Sequence, residues 1–318
     1  GSNLIYSLFC DTVNNRMLIG TDNGVTVYDN TKDSFYSITG LVANAEQLAH
    51  ASVKNISCFK QGECWITTRE HGLFFINTRS KTCKRYFTEN KFLKIVKCVA
   101  AYRGSILAAA GNSIFQLDNV SGIFEFVKQE DIFRDIKTML FYNDKLWIGT
   151  LETGLYTLDI EGSMALQQVK VPSKKIGNLL QTKDHILWVA TRDSGLVSLN
   201  KEGQILTHSF SNMLYPNMLP RNFTLSIFSD NQDNIWVGTS GGGFSKLSYE
   251  FGFFKTIVSQ PLIKNSLPDN MVLSINGNGQ QLFIGTQLQG LCVYDANGKM
   301  KVYNTHTKGL LNNAIYSI

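Results

Sequence analysis

Apolar and polar positions alternate in short runs along the whole chain, and one composite run keeps returning. Its clearest copy is LWIGTLETGLYTLD, Leu146 to Asp159. Beside it stand MLIGTDNGVTVYD (Met17 to Asp29), CWITTREHGLFFIN (Cys64 to Asn77), LWVATRDSGLVSLN (Leu187 to Asn200), IWVGTSGGGFSKL (Ile235 to Leu247) and LFIGTQLQGLCVYD (Leu282 to Asp295). ILAAAGNSIFQLD, Ile106 to Asp118, is a decayed seventh. Marking each copy by the residue that ends its first half (Thr21, Thr68, Ala110, Thr150, Thr191, Thr239, Thr286) gives steps of 40 to 48 residues. A period of that size across a whole chain is the signature of a repeat architecture.

Side chains alternate along a strand, so Trp147 and Gly149 share one face and Leu146, Ile148 and Thr150 the other. Apolar residues on both faces predict a strand covered on both sides. All four tryptophans, Trp65, Trp147, Trp188 and Trp236, occupy this one position. Two residues on, the same face carries something small, including Gly149, Gly238 and Gly285, which predicts a bulky ring seated against a neighbouring sheet at fixed spacing. A turn glycine such as Gly154 then supplies the positive φ of a tight hairpin, and a second strand follows. Another apolar stretch precedes each copy (TLSIFSD, Thr224 to Asp230) and a fourth, often aromatic, follows (SFYSI, Ser34 to Ile38; FGFFKTIV, Phe251 to Val258).

Four short strands per unit of about 40 to 45 residues make one blade of a β-propeller. The expectation is an all-β, seven-bladed β-propeller with four antiparallel strands per blade, spanning residues 1–308, with blades starting near residues 5, 56, 95, 136, 176, 224 and 272. An open β-sandwich with chance similarity is the alternative, and seven aligned copies argue against it. Helical turns are expected in ANAEQLAH, Ala43 to His50, and in DIFRDIK, Asp131 to Lys137. Asparagine precedes serine by four at Asn3/Ser7, Asn222/Ser226, Asn270/Ser274 and Asn313/Ser317, where it is expected to hydrogen-bond its own backbone as the chain enters an inner strand. GLLNNAIYSI, Gly309 to Ile318, repeats the opening NLIYSL, so residues 309–318 read as the start of a further repeat in a truncated array.

Composition changes this picture little. Hydrophobic content of 43% supports a substantial core, and five prolines argue against a linker-rich chain. No apolar run reaches the roughly 18 to 20 residues of a membrane span. The opening GSN holds no leader-like region, so a signal peptide is either removed or was never present. A net charge of +5 without a basic stripe speaks against nucleic-acid contact. The six cysteines form no C-x-x-C pair, and buried free thiols are expected over zinc ligands or a disulfide framework.

The signature I-x-S-I, a polar turn ending in Asp or Asn, then L-W-I-G-T-x-x-x-G-L-x-x-x-D resembles the two-component regulator propeller repeat. The resemblance covers nearly the whole chain; blade three departs from it, lacking both the tryptophan and the turn glycine. It implies the extracytoplasmic sensor region of a Bacteroidetes-type hybrid two-component system. In such proteins a second propeller, a β-sandwich, a membrane span and a histidine kinase accompany the repeats. The implied parent is periplasmic, membrane-anchored and homodimeric, and the implied ligand is an oligosaccharide released from a glycan. Kinase and receiver motifs are absent from this chain, so it is expected not to be an enzyme.

Candidate chemistry is sought on the hairpins between the second and third strands, which converge on one mouth of a propeller. Differing polar tips on a constant scaffold suit recognition. The candidates for ligand binding are Asp22, Arg69, His71, Glu152, Arg192, Asp193, Gln287 and Gln289, with Tyr215 and Arg221 from the connection before blade six. Arg69 and Arg192 suit a carboxylate or sulfate by bidentate pairing. Solvated loop tips are the simpler alternative. The five histidines fall at non-equivalent repeat positions, which disfavours a lyase or a metal site. SDNQDNIW, Ser229 to Trp236, resembles a sialidase Asp-box only loosely, and no phosphate or dinucleotide loop is present, so neither metal nor cofactor is expected. Two readings remain: a ligand-sensing module, or a scaffold that holds a dimer or a partner while the ligand is read elsewhere.

Overall fold

The computed structural model describes residues 4–87, 94–211, 218–230, 232–247, 254–260, 265–307, 310 and 312–316. Among them, 28 strands form seven four-stranded antiparallel sheets, each a consecutive meander. The protein is a seven-bladed β-propeller. The inner strands of blades one to seven are Ile5–Asp11, Val53–Lys60, Val96–Tyr102, Ile136–Tyr142, Ile176–Gln181, Thr224–Ser229 and Val272–Gly277. Two compact units divide the chain, Gly1–Ile136 with blades one to three and Lys137–Tyr316 with blades four to seven.

In the first unit, Leu18 at the tryptophan position packs with Val53 and Ile56 of the next inner strand. Buried Ile38, Leu41, Val42, Ala45 and Leu48 of the first inter-blade connection join the same cluster. That connection was expected to make one or two helical turns; it makes short 3-10 turns at Ile38–Gly40 and Leu48–His50, and Asp131–Asp135 is 3-10 as well. Trp65 packs with Val96, Val99 and Ile106 of blade three. In the second unit the pattern repeats: Trp147 meets Ile176 and Leu179, Trp188 meets Ile227 and Val237, and Trp236 meets Val272 and Ile275. Each indole fills the gap to the following blade.

The small residue two positions on has an equally concrete cause. A Cβ on Gly149 would lie 2.6 Å from Ile176 Cγ2, and one on Gly238 2.7 Å from Val272 Cγ1. The first residue of the following inner strand presses on this spot, so only hydrogen fits. Blade seven receives the same contact from Ile315, whose Cγ2 would stand 2.5 Å from a Cβ on Gly285. Ala314 and Ile315 are buried there, the Ile315 N–H donates to Thr286 O at 2.8 Å, and Ser274 Oγ donates to Ile315 O at 3.1 Å. Residues 313–315 thus treat blade seven as an inner strand treats the blade before it. Gly309, Ser317 and Ile318 lie outside the described residues.

The recurring threonine staples the hairpin that follows it. Thr150 Oγ1 donates to Gly154 O at 2.8 Å and accepts the N–H groups of Thr153 at 3.1 Å and Gly154 at 2.7 Å. Thr68, Thr191, Thr239 and Thr286 donate to Gly72, Gly195, Gly243 and Gly290 in the same way. Gly154 stands at φ 114°, which an L side chain resists. Thr150→Val keeps the volume and removes the hydroxyl, leaving buried backbone groups unpaired. It is expected to lower unfolding free energy by about 1–3 kcal/mol in chemical denaturation, with the far-UV spectrum unchanged.

The asparagines differ from expectation. Asn222, Asn270 and Asn313 reach back rather than onto their own turn: their Oδ1 atoms accept the N–H groups of Ser211 (2.6 Å), Ser259 (2.6 Å) and Thr305 (2.9 Å), just after the preceding outer strand. Their carbonyls accept the turn-glycine N–H groups of Gly195, Gly243 and Gly290. The connection doubles back past its own start, so the nearest unpaired donors belong to the blade being left. Asn3 lies outside the described residues.

The cysteine expectation is overturned at one pair. Cys58 and Cys64 face each other across the first hairpin of blade two, with Cα atoms 4.2 Å apart, and form a disulfide. Antiparallel register brings the two side chains together. Among the described residues, Cys10, Cys83, Cys98 and Cys292 are not disulfide-bonded, and burial pushes the Cys10 thiol up to about 12.

Candidate functional site

The polar tips stand on the stapled hairpins. In the first unit, the Asp22 N–H donates to Leu4 O, and the Arg69 N–H donates to Ser52 O at 2.9 Å. The Arg69 side chain is exposed. His71 is held by its own hairpin: its N–H donates to Thr68 Oγ1, its carbonyl accepts from Arg85 Nε at 2.6 Å, and its Nδ1 is buried without a partner among the described residues. Asp22 Oδ1 is likewise buried and unpartnered. In the second unit, Glu152, Arg221 and Gln289 are exposed and Gln287 is half-buried. Asp193 is tied into its own loop by Ser173 Oγ at 2.5 Å, Ser194 Oγ at 3.0 Å and Lys175 Nζ at 4.0 Å. Tyr215 lies outside the described residues.

Arg192 stands apart from these. Its side chain crosses Gly177, whose missing Cβ would lie 3.6 Å from Arg192 Cγ, and its guanidinium sits 5.9 Å above the Phe223 ring. It is half-buried, and burial pulls its pKa below the ordinary arginine value. No hydrogen bond or ion pair of the guanidinium occurs among the described residues. A half-desolvated cation with an aromatic floor and no counter-ion among the described residues is chemically suited to pair with an anionic group. Gly177 makes this possible, because blades two, three and four carry Lys54, Lys97 and Lys137 at the matching position of the inner strand.

The opposite end of the blades, which the sequence reading passed over, also carries cavities. One of about 300 Å³ in the first unit is lined by Phe9, Cys10, Val13, Phe59 and Lys60, and a second of about 350 Å³ is lined by Phe59, Lys60, Glu63, Trp65 and Tyr86. The tip of the disulfide-clipped hairpin, Phe59 and Lys60, forms a wall of both. None of the lining residues stands out as a site in the sequence, where the one visible sign is an apolar Phe59 flanked by Cys58 and Lys60 at a hairpin tip, 42% exposed in the fold. Asp230, in the loosely Asp-box-like stretch, is structural: its Oδ2 accepts the Trp236 indole N–H at 2.8 Å and its Oδ1 the N–H groups of Gln232 and Asn234. Among the described residues, no group of three or more His, Cys, Asp or Glu side chains is placed to hold a metal.

Residues 218–241, which run from the end of the long connection through the second strand of blade six, match the family model described as "Two component regulator propeller". The chain carries a two-component regulator propeller repeat. Trp236, Gly238 and Thr239 of the matched segment recur in blade four as Trp147, Gly149 and Thr150. No curated protein matches the chain. Among solved structures, the extracellular domain of a putative hybrid two component system from B. thetaiotaomicron is 15% identical with a TM-score of 0.53, covering 98% of this chain and 55% of that one. A second such extracellular domain from B. thetaiotaomicron is 20% identical with a TM-score of 0.50, covering 100% and 49%. Virginiamycin B lyase from Staphylococcus aureus is 14% identical with a TM-score of 0.65, covering 89% and 94%. At these identities the likeness is one of fold. The propeller repeat chain spans about half the length of the extracellular domains it resembles.

Proposed function

We propose that this propeller is the ligand-sensing part of a hybrid two-component sensor, placed in the periplasm by a membrane-anchored parent. It detects an oligosaccharide released from a glycan and passes the signal across the membrane to genes for polysaccharide use. The observation that carries this reading is Arg192, a half-buried guanidinium on the Phe223 ring with no counter-ion among the described residues. The repeat matched at residues 218–241 and the likeness to extracellular domains of hybrid systems support the sensor class. The Cys58–Cys64 disulfide supports an oxidising compartment, since such bridges persist outside the cytosol. The partners in this reading are the oligosaccharide, a second propeller and β-sandwich of the parent chain, and a second parent chain in a dimer. The ligand shifts that assembly only through unequal affinity for its two states. The chain itself is read as non-catalytic, with Asp193 and the His71 backbone already engaged by their own loops.

A scaffold reading draws on a different observation, the exposed Val120, Ile123 and Phe126 on the outer edge of blade three. Calorimetric titration with neutral and acidic oligosaccharides separates the two. Heat with an acidic oligosaccharide, weakened about tenfold or more in Arg192→Ala, is expected from a charge-assisted pair. Silence across the panel, together with unchanged signalling by a parent carrying Arg69→Ala and Arg192→Ala, would leave the scaffold.

A further inference from the structure

We infer that the cleft between blades two and three binds a single neutral pyranose ring, at a site separate from the Arg192 hairpin. The inference deepens the sensor reading by adding a second sugar subsite on the first unit. It starts from the second strand of blade two, Glu63–Thr68. Glu63 and Trp65 are two residues apart and so share a face, Phe75 lies directly across from Trp65, and Tyr86 follows on the same side from the outer strand. The rings form one aromatic wall: Trp65 and Phe75 have centroids 4.8 Å apart, and Trp65 and Tyr86 5.6 Å.

Blade three covers part of that wall, with Ile106 packed on the indole and Phe124 meeting Trp65 edge-on at 6.0 Å and Tyr86 at 5.2 Å. It leaves a space bordered by Phe59, Lys60, Glu63, Gly104 and Ser105. The residue two positions before the tryptophan site is Arg16, Glu63, Lys145, Ile186, Asn234 or Gln281 in the other blades, and Ser105 here. Gly104 precedes it, and Ala101 stands opposite Ile106 on the neighbouring strand. The decay of this repeat hollows a cavity of about 350 Å³. That volume lies at the small end of ligand sites, suited to one or two sugar rings.

Of the polar groups around it, Ser105 Oγ donates to Leu117 O and Asn119 Nδ2 to Gly104 O, while Trp65, Lys60 and Glu63 have side-chain polar groups without partners among the described residues. Trp147 donates its indole N–H to Tyr142 O at 3.0 Å and Trp236 to Asp230 Oδ2 at 2.8 Å, both acceptors lying in the first turn of their own blade. In blade two that turn is the short Lys60–Glu63 hairpin above the disulfide. The Trp65 indole N–H, like that of Trp188, has no acceptor among the described residues, and Trp65 is 5% exposed. Lys60 and Glu63 face each other in register yet form no ion pair among the described residues. One indole donor, one carboxylate and one ammonium border an aromatic floor. A pyranose answers all of them, with C–H groups for the rings and hydroxyls that both donate and accept. A purely apolar ligand would leave the indole N–H and the carboxylate unanswered.

The test uses the whole chain labelled with nitrogen-15 and follows its four indole N–H signals. The Trp65 signal is assigned by its disappearance in Trp65→Phe, which keeps an aromatic ring in the packed position. Methyl glucoside, galactoside and mannoside are added to about 20 mM, above the millimolar range expected of one ring in a small site. At least one is expected to move the Trp65 signal in a saturable way while those of Trp147 and Trp236 stay fixed, and Glu63→Gln to weaken the response about tenfold. Movement of all indoles alike, an undiminished response in Glu63→Gln, or a response to 4-nitrophenol with none to the sugars overturns the assignment. If no pyranoside moves the Trp65 signal while Arg192→Ala abolishes oligosaccharide heat, the cleft is refuted and the sensor reading stands.

Discussion

Trp147→Ala is expected to lower the unfolding free energy by about 3–5 kcal/mol, among the largest losses any single side chain here can cause. The indole is 2% exposed and packs against Ile176, Leu179 and Leu187 of the next blade, while its N–H satisfies Tyr142 O. Truncation opens a cavity between two sheets that each keep their own ladder, so neither collapses to fill it. It also strands a buried carbonyl. Trp147→Phe refills most of the volume and loses only the hydrogen bond, so its expected cost is about 1–2 kcal/mol. Denaturant melts of the two variants measure the difference. Equal losses would mean that the hydrogen bond, not the packing, holds these blades together.

Gly285→Val is expected to destabilise by at least about 1–3 kcal/mol through overpacking, and to act at a distance in sequence. Its Cβ would fall 2.1 Å from Ser274 Oγ and 2.7 Å from the Ile315 carbonyl oxygen. Ser274 can rotate; the backbone at Ile315 cannot yield without leaving. The Ile315 N–H, bonded to Thr286 O, should then lose its protection in native-state hydrogen exchange, while amides of blade five keep theirs. Retained protection at Ile315 would show that residues 313–315 are held by something other than the flank of blade seven.

Much of this was legible in the chain. The tryptophan, the small residue two places on, the threonine and the turn glycine lie within about a dozen residues of one another. Period-two alternation places the first two on one face without reference to the rest of the fold. The blades and their antiparallel strands followed, because each unit restates the same local instructions. Among the site residues, the hairpin tips were legible as tips. What distinguished Arg192 from Arg69 was not, since that depends on Gly177 in another strand and Phe223 in the next blade. Neither was the Cys58–Cys64 bridge, because pairing needs register, and the six-residue spacing carries no motif.

Sequence by itself determined the repeat, the strands and the identity of the packing positions, since these rest on propensity, periodicity and turn chemistry within one unit. Tertiary structure alone decided which groups are left without partners among the described residues, the Arg192 guanidinium, the Trp65 indole N–H, the His71 Nδ1 and Glu63 beside Lys60 among them. The reason is physical. A side chain finds its partner across blades, at separations of roughly 10 to 50 residues, and only folded register shows whether a donor has met an acceptor or still faces open space.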